Sequence, residues 1–143
     1  MKIRKATKKD LKQILKAYQK EYSRKPYLER WGSKFLARKL KMHLKWDEIF
    51  LATINNKIVG FVIFDFYEWH DGWRIYIEDI AVSKEFQGKG AGKALLRKVE
   101  EEAKRKRVAV IVLDVKTKSE AYKLYKKIGY KKVPYDKMEK KIK

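Results

Sequence analysis

Ile77-Glu78-Asp79-Ile80-Ala81-Val82, followed after a short link by Gln87-Gly88-Lys89-Gly90-Ala91-Gly92 and a long amphipathic run, is the stretch on which the reading of the chain turns. An apolar strand, a glycine-rich turn and a helix start, in that order, make an anion site. The first N–H groups of a helix have no partner within it, and the helix dipole points its positive end into the turn. The stretch therefore predicts a phosphate-bearing ligand, and spacing narrows the choice. A nucleoside-triphosphate loop, G-x-x-x-x-G-K-[ST], would need glycine at Gln87 and a magnesium-binding hydroxyl at Ala94. A dinucleotide fingerprint, G-x-G-x-x-G, fails as well, because Lys93 and Leu95 stand where its third glycine would fall.

What remains, Gln87-x-x-Gly90-x-Gly92 behind a strand ending Ile-Ala-Val, resembles the acetyl-CoA-binding motif of the GNAT N-acetyltransferases. The resemblance implies that the backbone of Gln87, Gly88, Lys89, Gly90, Ala91 and Gly92 surrounds a pyrophosphate, with Lys89 and Lys93 adding charge. Glycine suits such a turn because a Cβ would hold phosphate oxygens off the backbone. It also implies that Ile80, Ala81 and Val82 pair through their backbone with the pantetheine arm as though it were an added strand. That pairing requires an opening between strands 73–82 and 108–115.

Length and composition set the frame. The 143 residues suit a single domain, 1–143, with one core. Apolar runs are strand-sized, and Met1-Lys2-Ile3-Arg4-Lys5 is not followed by the apolar core of a signal peptide, so a soluble cytoplasmic protein without membrane contact is expected. Absence of Cys excludes disulfides, thiolate metal sites and a cysteine nucleophile. Only His43 and His70 remain as imidazole ligands, far apart in the chain, so no metal site is expected.

The formal charge of +20, from 38 Lys and Arg against 18 Asp and Glu, brings nucleic acid into consideration and would also concentrate a polyanionic substrate. Abundant Lys and Glu with two Asn and three Gln equally fit the surface of a thermostable protein, and the charge is read mainly as solvated surface. Aromatic residues fall in strands or beside acids rather than alternating with Lys and Arg on one exposed face. That pattern argues against a nucleic-acid partner.

Along the chain, residues 2–6 alternate into a strand. Thr7-Lys8-Lys9-Asp10 has the form of a capping box opening a helix to Tyr22, with Leu11, Ile14, Leu15 and Tyr18 on one face. Ser33 is placed as the cap of a second helix with Leu36, Leu40 and Leu44 inward and Phe35 widening the stripe. Strands 49–54, 58–66 and 73–82 follow, joined at Asn55-Asn56-Lys57 and His70-Asp71-Gly72 into an antiparallel meander. A helix over 90–107 leads to a branched apolar strand at 108–115, read as buried on both faces and parallel to its predecessor. Ser119 caps a helix stopped by Gly129, and strands are expected at 130–133 and 137–142. The order β-α-α-β-β-β-α-β-α-β-β defines an α/β fold with a mixed sheet, similar throughout to the GNAT fold.

A transferase acting on an amine needs a base, because a primary amine is mostly protonated at neutral pH. Ile75-Tyr76-Ile77-Glu78-Asp79 is similar to the corresponding strand of the diamine acetyltransferases, which implies Glu78 as base and keeps Asp79 second. Regular alternation would put only one of the two on the acceptor side. Both acids can also be read as salt-bridge partners in a lysine-rich protein. A second motif, Ala121-x-x-x-Tyr125-x-x-x-Gly129-Tyr130, places Ala121 and Tyr125 on one helix face. The resemblance gives Ala121 the task of leaving room for CoA and Tyr125 that of general acid. Lys118, at another cofactor-binding position, departs from the asparagine usual in the family.

The resemblance also sets Tyr27 and Trp31 beside the acceptor. Tyr67, Trp69 and Tyr76, set among Asp65, Glu68, Asp71, Glu78 and Asp79, make an acidic and aromatic island suited to an ammonium or polyamine. The expected function is acetyl transfer from acetyl-CoA to a small primary amine. A protein amine is the alternative acceptor, a CoA sensor without turnover is a further class, and a homodimer is the assembly to test.

Overall fold

The computed structural model describes residues 1–143. The first strand, β1 (Lys2–Lys5), runs through a 3-10 turn, Lys8–Asp10, into helix α1, Leu11–Tyr22. Asp10 organises this entry: it accepts the Thr7 N–H at 2.8 Å and the Thr7 hydroxyl at 3.3 Å, and takes both Arg4 amino groups at 2.8 and 2.9 Å. The Arg4 hydrogen bond outweighs burial and holds the Asp10 carboxyl down at about 2. A carboxylate with a depressed folded-state pKa stabilises above its unfolded value and loses that stabilisation as pH falls through the folded one. Asp10→Asn is expected to cost about 1–2 kcal/mol at pH 7, after discount for the exposed side of Arg4, and only a small part of that near pH 2. Urea unfolding at the two pH values checks this.

Helix α2, Ser33–Lys45, departs from its expected details. Gly32 is the cap residue, and the Ser33 hydroxyl instead accepts a hydrogen bond from Gln19 Nε2 at 3.1 Å, tying α2 to α1. Phe35 does not widen the apolar stripe: it is 68% exposed, with Arg38 stacked over its ring at 5.7 Å. The inward residues are Leu36, Leu40 and His43, whose three- and four-residue spacing defines one face about 100° away from Phe35.

Strands β2 (Ile49–Ile54), β3 (Lys57–Trp69) and β4 (Gly72–Val82) form the meander, and Asn55 and Asn56 take φ of 51° and 63° in the first turn. Helix α3, Ala91–Arg105, leads to β5, Val110–Leu113. The sheet order is β1-β2-β3-β4-β5, antiparallel throughout except for the parallel β4–β5 pair. One face of the sheet, carrying Ile49, Leu51, Phe61 and Ile63, buries Ile14, Tyr18, Leu36 and Leu40 of α1 and α2. Each such fully buried apolar side chain contributes about 1.5–3 kcal/mol. Ala91, Leu95, Leu96, Val99 and Ala103 are the buried residues of α3.

Residues Met1–Leu113 form one compact unit and Asp114–Lys143 a second. Strand β5 is shorter than 108–115 and only half-buried, because it pairs with β4 alone at the edge of the sheet. In the second unit α4 spans Glu120–Lys127; Ser119 Oγ accepts the Tyr122 N–H at 3.0 Å, and Gly129 closes the helix at φ 106°. The strands expected at 130–133 and 137–142 are not formed. Pro134 removes a ladder donor, Tyr130 and Val133 fall on opposite faces of the first stretch, and Met138 and Ile142 are the only apolar residues of the second, so neither stretch has a face to bury. Val133, Tyr135, Met138 and Ile142 are exposed.

Candidate active site

The two acids of β4 do not alternate. Asp79 pairs with Ile63 and Ile77 with the adjacent Phe64, so Glu78 is the extra residue of a β-bulge. A bulge turns two successive side chains toward one side. Glu78 and Asp79 accordingly both face α2, where Lys39 Nζ donates to Glu78 Oε1 at 2.8 Å and lies 3.4 Å from Asp79 Oδ2. The expectation that only one could point to the acceptor side is corrected by this irregularity. Asp79 also accepts the Tyr18 hydroxyl at 3.1 Å.

Behind Glu78 lies a buried network built from other elements. His43, with no exposed surface, places Nε2 at 2.9 Å from Glu78 Oε2 and Nδ1 at 3.0 Å from Glu48 Oε1 and 3.3 Å from Asp65 Oδ1. Glu48 is fixed in turn, its Oε2 accepting the Phe66 N–H at 3.2 Å. Burial opposes charge on His43, but the Glu48 hydrogen bond and the charges of Asp65 and Glu78 outweigh it and raise its pKa. Burial, then the hydrogen bond and charge of Glu78, push Asp65 up to about 7. Glu78 itself is pushed up by burial, yet its hydrogen bonds with Asp65 and Lys39 bring it below the usual carboxylate range. Asp79 is raised, burial outweighing Lys39 and Tyr18.

Lys39 and Glu48 have no place in the sequence reading, where Asp65 enters only as part of the acidic island and His43 only as an isolated imidazole. The signal for His43 is its position seven residues after Leu36 on the inward face of α2. The ligand atoms of His43, Glu48 and Asp65 lie within 4.8 Å of one another, a grouping that the separation of the two histidines in sequence does not anticipate. Each of these three side chains is already engaged, through Glu78, the Phe66 N–H or the shared imidazole.

Just beyond Glu78 the sheet opens. The β4–β5 ladder ends at Ile77↔Leu113, while β4 continues to Val82 paired with β3 alone. The edge of Ile80 and Ala81 that would face β5 therefore has no strand partner. Gln87 Nε2 caps the Val82 carbonyl at 2.9 Å, fixing where the turn leaves the strand. From Gly88 through Lys93 no backbone N–H is used by the fold, since the first bond of α3 runs from Ala94 N to Gly90 O at 3.0 Å. Gly88 and Gly90 take φ of 76° and 90°, and a Cβ on either would meet nothing within 4 Å. The concave side of the turn is thus open backbone, the form an anion requires.

The expected acceptor residues separate into two groups. Trp31 packs edge-on against Tyr18 at 5.3 Å with its ring 6.0 Å from Lys39 Nζ, and Tyr27 joins through Tyr22 at 4.8 Å. Tyr76 stands opposite Asp65 on the face that carries Glu78. Tyr67 and Trp69 lie instead toward the tip of the β3–β4 hairpin, opposite Arg74 and Gly72, more than 10 Å from Glu78 at roughly 3.3 Å per residue. The acidic island is also largely neutralised from within: Asp71 by Arg74 at 2.9 Å, Asp65 by His43, and Glu78 and Asp79 by Lys39. In the second unit Tyr125 is buried in α4 with its ring 5.7 Å from that of Tyr130, Ala121 lies one turn before it, and Lys118 takes φ of 66° just ahead of the helix.

A mixed sheet whose parallel pair parts beside a glycine-rich helix start is the acetyltransferase-type fold that the sequence resemblance implied. The chain belongs to the acetyltransferase (GNAT) family, whose model matches residues 11–130. An uncharacterized N-acetyltransferase of Methanocaldococcus jannaschii is 32% identical over 141 residues, which cover 90% of this chain and 59% of the relative. The chain thus spans about three fifths of that relative's length. Among solved structures, a probable acetyltransferase superposes with a TM-score of 0.85 at 20% identity, over 100% of this chain and 99% of the other. An aminoglycoside N-acetyltransferase solved with CoA gives 0.81 at 17% identity, over 99% and 94%. At such identities the likeness is one of fold. No helix is long and apolar enough to cross a membrane.

Proposed function

We propose that the protein transfers the acetyl group of acetyl-CoA to a primary amine, with residues 1–143 acting as one catalytic domain. The family match, 11–130, runs through the boundary between the two compact units. The observation that carries the reading is the edge of β4 at Ile80 and Ala81, which has no strand partner, leading into a turn whose N–H groups from Gly88 to Lys93 make no backbone bond. A pantetheine arm is an extended amide chain that can use such an edge, and a pyrophosphate can use such a turn. Lys89 and Lys93 add charge, and Lys118 and Ala121 are assigned to the CoA side by their place in the second motif.

In this reading the acceptor nitrogen attacks the thioester carbonyl, the C–S bond breaks, the amine proton passes to Glu78, and Tyr125 supplies a proton to the departing thiolate. Glu78 is favoured over Asp79 because its two oxygens are oriented by Lys39 and His43, whereas Asp79 is tied to Tyr18 in a more buried position. Trp31, Tyr27 and Tyr76 are the aromatic surfaces assigned to the acceptor; Tyr67 and Trp69 serve an acceptor long enough to reach the hairpin tip. A di- or polyamine is the narrower proposal. Its ammonium groups would compete with Lys39 rather than meet bare carboxylates.

Thiol release measured over a panel of polyamines, amino acids, aminoglycosides and N-terminal peptides tests activity and acceptor together, and preference for a peptide would move the acceptor to a protein amine. Calorimetry that shows no acetyl-CoA binding would remove the assignment of the turn. Tyr125→Phe is expected to lower kcat about 10–100-fold with acetyl-CoA binding within about threefold. Unchanged turnover would mean that Tyr125 is not the acid.

A further inference from the structure

A carboxylate that takes a proton from an ammonium must give it up before the next cycle, and Glu78 is poorly placed to do so alone. Its Oε1 is held by Lys39 Nζ and its Oε2 by His43 Nε2. Both cations favour its ionised form and make it a weak base. We propose that Asp65 is the group through which the proton of Glu78 leaves for solvent, and that His43 is the residue that positions the pair. The proposal rests on Glu78 being the base.

The geometry gives each group one task. Glu48 is buried and pinned by the Phe66 N–H, so it serves as the fixed anchor of the imidazole at 3.0 Å. His43 lies 2.9 Å from Glu78 with one nitrogen and 3.3 Å from Asp65 with the other, and this wholly buried ring fixes where both carboxylates sit. Asp65 shares a hydrogen bond with Glu78, and its side chain is 35% exposed against 24% for Glu78 and 9% for Glu48. It is the most open carboxylate of the set.

Every packed element contributes to the charge balance. Tyr18 comes from α1, Lys39 and His43 from α2, Glu48 from the link into β2, Asp65 from β3, and Glu78 and Asp79 from β4. Four carboxylates thus face Lys39 and His43, and the one raised furthest is Asp65, which burial and Glu78 push up to about 7. In the transfer the acceptor N–H bond breaks and a Glu78 O–H bond forms. Glu78 then passes its proton along the shared hydrogen bond to ionised Asp65, which releases it to water.

The test is the pH dependence of kcat for wild type, Asp65→Asn and His43→Gln, with circular dichroism to confirm folding. Wild type should show a step near pH 7, with activity rising as Asp65 loses its proton. Asp65→Asn should remove the step and lower the plateau about tenfold, with KM for acetyl-CoA within about twofold. His43→Gln takes away the cation that lowers Asp65, so the step should move above that of wild type and kcat fall about 10–100-fold.

If His43→Gln does not fold, imidazole resonances replace it. The chain has only two histidines, and His43 should titrate above the ordinary imidazole value in wild type and lower in Asp65→Asn. Asp65→Asn with the wild-type step and plateau would overturn the proposal in an enzyme that needs Glu78. If Glu78→Gln stays active, it is the base assignment beneath it that fails.

Discussion

Glu78→Gln is expected to lower kcat by about 10²–10³ in the thiol-release assay, whereas Asp79→Asn should stay within about tenfold of wild type. The two acids differ by one position and both touch Lys39, so the contrast is a sharp one. Glutamine preserves the shape of Glu78 but can neither take a proton nor balance Lys39 and His43, which lie 2.8 and 2.9 Å from its two oxygens. Asp79 has half of its bonding in the fold: it accepts from Tyr18, and its side chain is 12% exposed. Its replacement should therefore appear mainly in stability.

The pH profile adds a second check. Glu78 is held below the usual carboxylate range, so any rise in kcat through neutral pH belongs to another group. Acetyl-CoA affinity should be unchanged in both variants, because the phosphate turn and the Ile80–Val82 edge lie beyond the bulge. A Glu78→Gln protein that folds, binds acetyl-CoA and retains more than about a tenth of wild-type kcat would end the assignment of Glu78 as base.

Much of the chain is written in local signals. Ser119 ahead of an amphipathic run, Gly90 at a left-handed φ opening α3, and adjacent asparagines in a two-residue turn each encode their conformation within a few residues. The phosphate turn belongs with these, because three glycines and a helix start are all it needs. The bulge at Glu78 is different in kind. It exists only because Ile77 and Asp79 pair with adjacent residues of β3, and no feature of the run Ile77-Glu78-Asp79-Ile80 announces it. The network behind it is more remote still, since His43, Glu48 and Asp65 come from a helix, a link and a strand. Residues 130–142 failed in the opposite sense. Their apolar residues suggest strands, but they are too few to give either stretch a face to bury, and propensity without a buried face does not make a strand.

Lys39 offers the largest test of stability in the site. Lys39→Met keeps most of the buried stem and removes the ammonium that lies 2.8 Å from Glu78 and 3.4 Å from Asp79. The three side chains are 18%, 24% and 12% exposed, so two partly buried carboxylates lose their common cation. Breaking such a pairing costs more than the pairing contributes, because the remaining charges stay desolvated. The loss expected by denaturant titration at pH 8 is about 2–4 kcal/mol, at the lower end of the range for buried pairs because water reaches one side.

The pH dependence fixes the cause. Asp79 already lies above its ordinary value through burial, and Lys39 is the first of the groups that pull it down, so the variant raises it further. A carboxylate with a raised folded-state pKa carries no penalty below its unfolded value, about 3.9, and the full penalty once pH has risen through the folded one. The deficit of Lys39→Met should therefore be largest at pH 8 and shrink steadily toward pH 4, and Asp79→Asn in the same chain should recover about half of it. A deficit equal at both pH values, or one that the second substitution deepens, would place the effect in lost packing of the lysine stem and not in the charge it carries.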